Sequence, residues 1–197
     1  MTIVYRLGCK IYLNITNACS CSCVFCIRNH TDGVGDAVSL WLEREPSLDE
    51  IKAALDVCSY DDIDEIVFCG FGEPMQRVED VIKISQYIKS KPAPPVRVNT
   101  NGLVFLMHPG FDVSRLTIVD SVSVSLNADE PAEYQRLSRP KFGEPAFNSL
   151  LDFVREAKAY TSVALSVIEG VLNPVRMENC RRIAEKLGVP LRIRGQE

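Results

Sequence analysis

The segment Cys19-Ser20-Cys21-Ser22-Cys23-Val24-Phe25-Cys26 contains the most specific pattern in this chain. It directly follows Lys10–Thr16, whose alternating apolar residues predict a strand. Cys19, Cys23 and Cys26 have the spacing C-x3-C-x2-C, which can bring three thiolates to one inorganic cluster. Three thiolates leave one iron of a four-iron cube open to another ligand, as a chemically active cluster requires.

The same cysteines allow two other kinds of site. Cys21 or His30 could supply a fourth ligand and complete a tetrahedral zinc site. An electron-transfer cluster could instead take its fourth cysteine from elsewhere in the chain. Four of the eight cysteines fall within eight residues, and the first residues lack the pattern of a secretory signal. Metal binding is therefore favoured over a disulfide framework.

Outside this loop, short apolar runs alternate with amphipathic stretches. The predicted strands are Lys10–Thr16, Glu65–Gly70, Val96–Thr100, Ser121–Leu126, Ser162–Ile168 and Pro190–Arg194. Helices are predicted from a capping box that begins at Ser47, and over Gln76–Lys91, Val113–Val119, Pro145–Tyr160 and Pro174–Leu187. Such alternation implies right-handed crossovers between parallel strands, and six units fall short of a closed eight-stranded barrel. We therefore predict an α/β fold: a partial (β/α)6 barrel, an open curved parallel sheet with outer helices.

A second motif, Cys69-Gly70-Phe71-Gly72-Glu73-Pro74, ends the second predicted strand. Glycines permit close approach of the backbone to a ligand, and the carboxylate of Glu73 can pair with an ammonium group. Ligands of open α/β sheets gather at this end of the strands. The alternative is a plain strand-to-helix turn with an acidic residue at the start of the helix.

The two motifs, in this order and each after a strand, resemble the signature of the radical S-adenosylmethionine (radical SAM) superfamily. The resemblance covers nearly the whole chain, and the overall pattern is similar to a compact subgroup described as TatD-linked. The family has Gly-Gly-Glu-Pro at the second motif, whereas Phe71 stands here in place of the first glycine. Since the family uses that position through backbone carbonyls, we expect the change to be tolerated.

This resemblance implies a function and its cofactors. A reduced [4Fe–4S] cluster cleaves SAM to methionine and a 5′-deoxyadenosyl radical, which abstracts hydrogen from a small-molecule or protein substrate that the sequence does not identify. An external electron donor such as flavodoxin or ferredoxin would reduce the cluster. The alternative from another class is a non-catalytic zinc or Fe–S binding module.

The resemblance also implies site residues. Cys19, Cys23 and Cys26 would hold the cluster, and the amino and carboxylate groups of SAM would chelate its open iron. The backbone near Phe25 would lie by the adenine. The SAM amino group would be bound by the second motif, that is by Gly70, Phe71, Gly72, Glu73 and Pro74.

Polar residues at the ends of later strands are weaker candidates. Ser125 and Asn127 share a polar face, which is unusual for a central parallel strand. Related enzymes use polar residues here for the SAM ribose, and we assign Ser166 of the next strand the same role. Asn99 and Asn101 either contact the methionyl carboxylate or form the turn before Gly102.

Arg192 and Arg194 alternate along the last predicted strand. They would bind an anionic substrate if their side faced the cavity, but we expect terminal surface charges. The segment Thr31–Glu45, which includes Trp41, is the expected cover of a cavity for a small molecule such as a nucleoside or pterin-like compound. An activase that makes a glycyl radical on a partner protein would need an open face instead.

Length and charge limit the remaining possibilities. We expect residues 1–197 to form a single radical SAM core domain. The net charge of −4 argues against a nucleic-acid groove spread over the whole surface. No apolar run approaches the length of a membrane span, so we expect no membrane partner and a cytoplasmic location.

Overall fold

The computed structural model of the chain describes residues 1–195. Within that range one sheet contains seven strands, which lie side by side in chain order. They are β1 (Val4–Leu7), β2 (Lys10–Leu13), β3 (Glu65–Phe68), β4 (Val96–Thr100), β5 (Ser121–Ser125), β6 (Ser162–Ile168) and β7 (Leu191–Arg194). β2 to β7 are mutually parallel. The predicted α/β fold with an open, curved parallel sheet is confirmed.

β1 is the one described strand that the sequence analysis missed, and it is antiparallel to β2. Leu7 pairs with Lys10, so Gly8 and Cys9 form a two-residue hairpin turn. Gly8 has a φ of +59°, which glycine adopts without steric cost. The hairpin extends the sheet to seven strands without adding a β/α unit.

The helices follow the strands in the order expected of β/α units. They are α1 (Leu48–Asp56), α2 (Val78–Lys89), α3 (Val104–Met107), α4 (Pro131–Ser138), α5 (Pro145–Ala157) and α6 (Pro174–Leu187). Short 3-10 helices cover Ile27–Asn29, Pro74–Arg77 and Val113–Ile118. The capping box at Ser47 is confirmed, because its side chain accepts from the Glu50 N–H and the Glu50 carboxylate accepts from the Ser47 N–H.

α4 is the missed helix that matters most to the site. Its sequence signal is Pro131 at the first helical turn, followed by Tyr134 and Leu137, which share one face. It ends at Arg139, a non-glycine residue in the left-handed conformation with φ +45°. The end of this helix packs against the cysteine loop.

The two faces of the sheet have opposite chemistry. Val98 of β4, Val124 of β5 and Leu165 of β6 are fully buried on the helix side, where they join the main hydrophobic core. On the concave side, Asn99 and Ser123 are register partners in neighbouring strands. The polar face predicted for β5 therefore points away from the helices, into the open side of the barrel.

None of the helices in the described range is both long enough and apolar enough to cross a lipid bilayer.

Candidate active site

The cysteine loop follows β2 and is held by the end of α4. The backbone N–H groups of Ser22 and Val24 donate to the carbonyls of Ser138 and Leu137 at 3.1 and 2.9 Å. These hydrogen bonds occupy carbonyls at the C-terminal end of a helix that otherwise lack partners. The loop is thus anchored by backbone groups, and its side chains are free to hold a ligand.

Cys19, Cys21 and Cys23 lie next to one another in this loop, and the backbone N–H of Cys21 donates to Sγ of Cys19 at 3.4 Å. Hydrogen bonding with the Cys21 side chain lowers the pKa of Cys19 to about 6 and also lowers the pKa of Cys23. The same hydrogen bonds raise the pKa of Cys21, which is only 3% exposed. Burial raises the pKa of the Cys26 thiol. Cys19 and Cys23 therefore lose their protons more readily than Cys21, which is buried beside them.

Glu73 connects the ends of two strands. Its Oε1 accepts from the backbone N–H of Met75 at 3.0 Å and caps the 3-10 helix, and its Oε2 accepts from the N–H of Asn101 at 2.7 Å. Burial raises the pKa of Glu73 to about 7, with a further contribution from the negative charge of Cys19. The carboxylate does cap a helix start, and it is also buried near Cys19, where an ammonium partner would stabilise its charge.

The glycines of the second motif permit close contact between neighbouring segments. A Cβ added at Gly70 would lie 2.1 Å from Oδ1 of Asn14, and one at Gly72 would lie 2.2 Å from the carbonyl oxygen of Thr16. The N–H of Glu73 donates to the carbonyl of Ala18 at 2.8 Å. The motif thus lies directly against the segment that leads from β2 into the cysteine loop.

Phe71, which departs from the family motif, has its own apolar environment. It is 3% exposed and packs in a second cluster with Tyr5 and Leu40. Trp41 meets the ring edge-on at a centroid distance of 5.0 Å. Pro74 follows as the first residue of the 3-10 helix. The phenyl ring therefore needs none of the space next to the cysteines.

Asn101, which directly follows β4, links this strand to the cysteine loop. Its Nδ2 donates to Oγ of Ser20 at 2.9 Å and lies 3.6 Å from Sγ of Cys21. Its Oδ1 accepts from the N–H of Leu103 at 3.0 Å, which shapes the turn after β4. Asn101 thus forms the turn and, at the same time, contacts the loop.

The other candidates fall at three places on the concave side. Oδ1 of Asn99 accepts from Arg97 at 2.8 Å, and Oγ of Ser166 lies 3.5 Å from the carbonyl of Val124. Oγ of Ser125 accepts from Arg194 at 3.3 Å. The expectation that Arg194 is a surface charge was wrong, because β7 turns this side chain into the barrel.

Asn127 and Phe25 complete the candidate set. Asn127 is 5% exposed, adopts the left-handed conformation with φ +55°, and its Oδ1 has no hydrogen-bond partner within residues 1–195. An unpaired buried acceptor costs about 1–3 kcal/mol, which a ligand donor such as a hydroxyl would recover. Phe25 is half-buried against the main core.

The segment Thr31–Glu45 packs over one side of the site. Nδ2 of Asn14 donates to the carbonyl of Leu40 at 2.7 Å, and Nδ2 of Asn17 donates to that of Leu42 at 2.7 Å. Nε1 of Trp41 donates to Asp32 at 3.0 Å within the segment. His30, which precedes it, is exposed.

These residues fit an iron–sulfur cluster and SAM. Two thiols with lowered pKa supply sulfur donors, Glu73 offers a buried carboxylate for an ammonium group, and Asn127 has an unused acceptor. Among residues 1–195, the His, Cys, Asp and Glu side chains form no group of three or more that is arranged to hold a metal ion.

A family model described as the Radical SAM superfamily matches residues 13–187. No curated protein matches the sequence.

Among solved structures, SuiB of Streptococcus suis bound to precursor peptide SuiA aligns with a TM-score of 0.72 and 10% identity, over 98% of this chain and 40% of that chain. Native anSMEcpe with bound AdoMet aligns with a TM-score of 0.62 and 14% identity, over 94% of this chain and 50% of that chain. Archaeal TYW1 aligns with a TM-score of 0.55 and 12% identity, over 96% of this chain and 66% of that chain. These identities show a shared fold, and the chain spans less than two thirds of each of these proteins. None of the names refers to the TatD-linked subgroup, so that narrower resemblance stays a prediction.

Proposed function

Because this chain belongs to the radical SAM superfamily, we propose that it is a radical enzyme that holds a [4Fe–4S] cluster on Cys19, Cys23 and Cys26 and binds SAM at the carboxyl ends of its strands. The observation that carries this proposal is the convergence of three segments on one point. Asn101 after β4 hydrogen-bonds both Glu73 after β3 and Ser20 in the cysteine loop after β2.

When bound and reduced, the cluster supplies the electron that splits SAM into methionine and a 5′-deoxyadenosyl radical, which takes a hydrogen atom from the substrate. The residues of the chain itself bind and orient SAM. Glu73 would pair with the SAM ammonium group, aided by carbonyls of Gly70, Phe71 and Gly72, while Pro74 holds the turn. Burial strengthens this pairing, because water competes little for the carboxylate.

The rest of SAM would lie along the concave side of β4 to β6. We assign Asn127 the strongest contact with the ribose, with Ser125 and Ser166 beside it. Asn99 would lie toward the methionyl group and the backbone near Phe25 toward the adenine. The support for this order is the row of polar side chains on the concave face, of which Asn99 and Ser125 are half-buried and Asn127 and Ser166 are buried.

Radical SAM enzymes generally need a reductant, and we propose an acidic electron carrier such as flavodoxin or ferredoxin. A cleft beside Cys23 is lined by Ser22, Val24, Asn29 and two basic residues, Arg28 and Arg139. Positive charge around a cluster ligand would steer an acidic carrier to a short electron-transfer distance.

We further propose that residues 1–197 form one radical SAM core domain that works in the cytoplasm. A net charge of −4 argues against a broad nucleic-acid surface. The packing of Thr31–Glu45 over one side of the site favours a small-molecule substrate over a protein that docks on an open face.

The proposal is tested by an anaerobic assay for 5′-deoxyadenosine. The protein is reconstituted with iron and sulfide, reduced with dithionite and given SAM. We expect product from the wild type and from Cys9→Ser, whose cysteine is exposed and lies outside the loop. Cys23→Ser should give none. A wild type with a loaded cluster that gives no product, and whose EPR signal ignores SAM, would favour a structural or electron-transfer cluster.

A further inference from the structure

A buried arginine lies on the concave side of the sheet, below the proposed SAM site. Arg97 of β4 is 8% exposed, and its guanidinium donates to Oδ1 of Asn99 at 2.8 Å and pairs with Glu65 at 3.0 Å. Its Nε is buried and has no hydrogen-bond partner among residues 1–195. Since a buried donor without a partner costs free energy, this nitrogen is poised for an acceptor that enters the barrel.

A second arginine reaches the same region from the far edge of the sheet. Arg194 of β7 donates to Oγ of Ser125 at 3.3 Å, and its Nε is also buried without a partner in the described range. Asn99, which Arg97 contacts, is the register partner of Ser123 on β5, and Ser125, which Arg194 contacts, lies two residues further along that strand. The two guanidinium groups, from β4 and β7, therefore contact neighbouring positions on the same concave face.

The charges at this place do not balance. Glu65 is shared between Lys10 at 2.9 Å and Arg97 at 3.0 Å, so one carboxylate faces two cations. Arg194 meets only a neutral hydroxyl among the contacts of the described residues. Uncompensated charge in a partly buried site is unfavourable, and an anion would neutralise it.

The position separates Arg97 from the cluster end of the SAM site, whereas Arg194 borders the proposed ribose contacts through Ser125. Arg97 precedes Asn101 by four residues along β4, which is roughly 13 Å of strand. Asn101 contacts the cysteine loop, where the amino and carboxylate groups of SAM would lie. Asn99 and Ser125 are half-buried, so solvent reaches this part of the concave face.

We propose that Arg97 and Arg194 form a subsite for an oxyanion of the substrate, either a carboxylate or a phosphate. The inference rests on the proposed function, because it names the substrate class of that same site. Asn99 and Ser125 would position the two guanidinium groups. The oxyanion would accept from both Nε atoms and hold the reacting part of the substrate between this pair and SAM.

The test is a calorimetric titration of the cluster-loaded protein under anaerobic conditions. Inorganic phosphate and acetate are titrated separately, at an ionic strength held constant with chloride. We expect one of the two to bind, and the tighter one identifies the oxyanion. Arg97→Gln and Arg194→Gln should each weaken binding about 10-fold or more, because a charge-assisted hydrogen bond is lost. Arg194→Lys, which keeps the charge, should lose less.

Arg115→Gln is the matched control, because this arginine pairs with Glu79 on the outer surface. It should bind the anion as the wild type does. Iron content and circular dichroism are measured for every variant. The two arginines lie on different strands. If one glutamine variant fails to fold, the anion affinity of the other variant still tests the subsite.

Three results would overturn the subsite: no binding of either anion, equal binding by the wild type and the folded glutamine variants, or displacement of the anion by SAM. The proposed radical function is tested by a different experiment. It would be contradicted if the wild-type protein with a loaded cluster made no 5′-deoxyadenosine. That assay contains no anionic substrate and does not depend on the titration.

Discussion

The backbone N–H of Asn101 donates a 2.7 Å hydrogen bond to Oε2 of Glu73, which joins the end of β4 to the turn after β3. The other carboxylate oxygen caps the 3-10 helix through Met75. Glu73 thus uses two backbone donors to fix its own orientation, and a carboxylate retains further lone pairs for a ligand. The same residue is both a cap and the proposed partner of an ammonium group.

Glu73→Gln should weaken SAM binding about 10-fold or more, because the charged partner of the ammonium is lost. The amide preserves size and one acceptor, so the cluster should still load. SAM affinity is read from the SAM-dependent change in the EPR spectrum of the reduced cluster. Glu79→Gln, which alters an exposed carboxylate, is the control. Equal SAM affinity in Glu73→Gln and wild type would remove Glu73 from the site.

Asn127→Gly should lower SAM affinity about 5-fold or more, because the side chain loses a hydrogen bond to the ribose. Glycine suits the φ of +55°, so no backbone strain is introduced. The ligand-free variant should be as stable as the wild type or more so, since the unpaired Oδ1 is gone. Equilibrium dialysis with SAM and chemical denaturation measure the two effects. Loss of stability with unchanged SAM affinity would make Asn127 a structural residue only.

Cys21→Ser should retain the cluster, because Cys21 is buried beside the proposed ligands and is not one of them. The serine hydroxyl can still donate a hydrogen bond to one neighbouring sulfur, and the backbone N–H that contacts Cys19 is unchanged. Iron and sulfide content after reconstitution should match the wild type, whereas Cys23→Ser should lose most of both. Cluster loss in Cys21→Ser as complete as that in Cys23→Ser would mean that the ligand set is different.

Gly72→Ala should destabilise the protein by about 1–3 kcal/mol, because the added methyl group overpacks the contact between two segments. The new Cβ would lie 2.2 Å from the carbonyl oxygen of Thr16 and 2.8 Å from that of Ala18. Cluster loading should fall as well, since Ala18 leads into the cysteine loop. Gly195→Ala, where nothing lies within 4 Å, is the control. Urea denaturation and iron content report the two effects, and wild-type values in both would contradict the close contact.

Asp129 should make stability depend on pH in the acid range. Burial alone would raise its pKa, but hydrogen bonds from Asn179 and Arg176 outweigh burial and lower it. Because the folded pKa lies below the unfolded value of about 3.9, the stabilisation is present above that pH and is lost as the pH falls through the folded pKa. Asp129→Asn should therefore cost about 1–3 kcal/mol near neutral pH and progressively less in acid.

Denaturant unfolding of the wild type and Asp129→Asn between about pH 3 and about pH 7 measures this difference. Asp152→Asn, which alters an exposed aspartate paired with Arg155, is the matched control and should show little change. A difference between Asp129→Asn and wild type that stays constant over the range would contradict the assignment.

Six of the seven described strands follow from local alternation in the sequence. β1 was missed because four residues carry too short a pattern, and its pairing with β2 depends on a hairpin turn at Gly8. α4 was missed because its polar residues obscure the face formed by Tyr134 and Leu137. Both elements are short, and each is stabilised by the partner it packs against more than by its own propensity.

The sequence by itself determined the cofactor chemistry and the fold class of this protein. The cysteine spacing and the Gly-Glu-Pro turn are local features of the sequence. They indicate the groups that would bind the cluster and SAM without any knowledge of the surrounding structure. Only the folded chain brings Asn101 against both Glu73 and the cysteine loop, and only there do Arg97 and Arg194 contact the same concave face of the sheet. These relationships join residues that are distant in the chain, and only the curvature of the sheet brings them together.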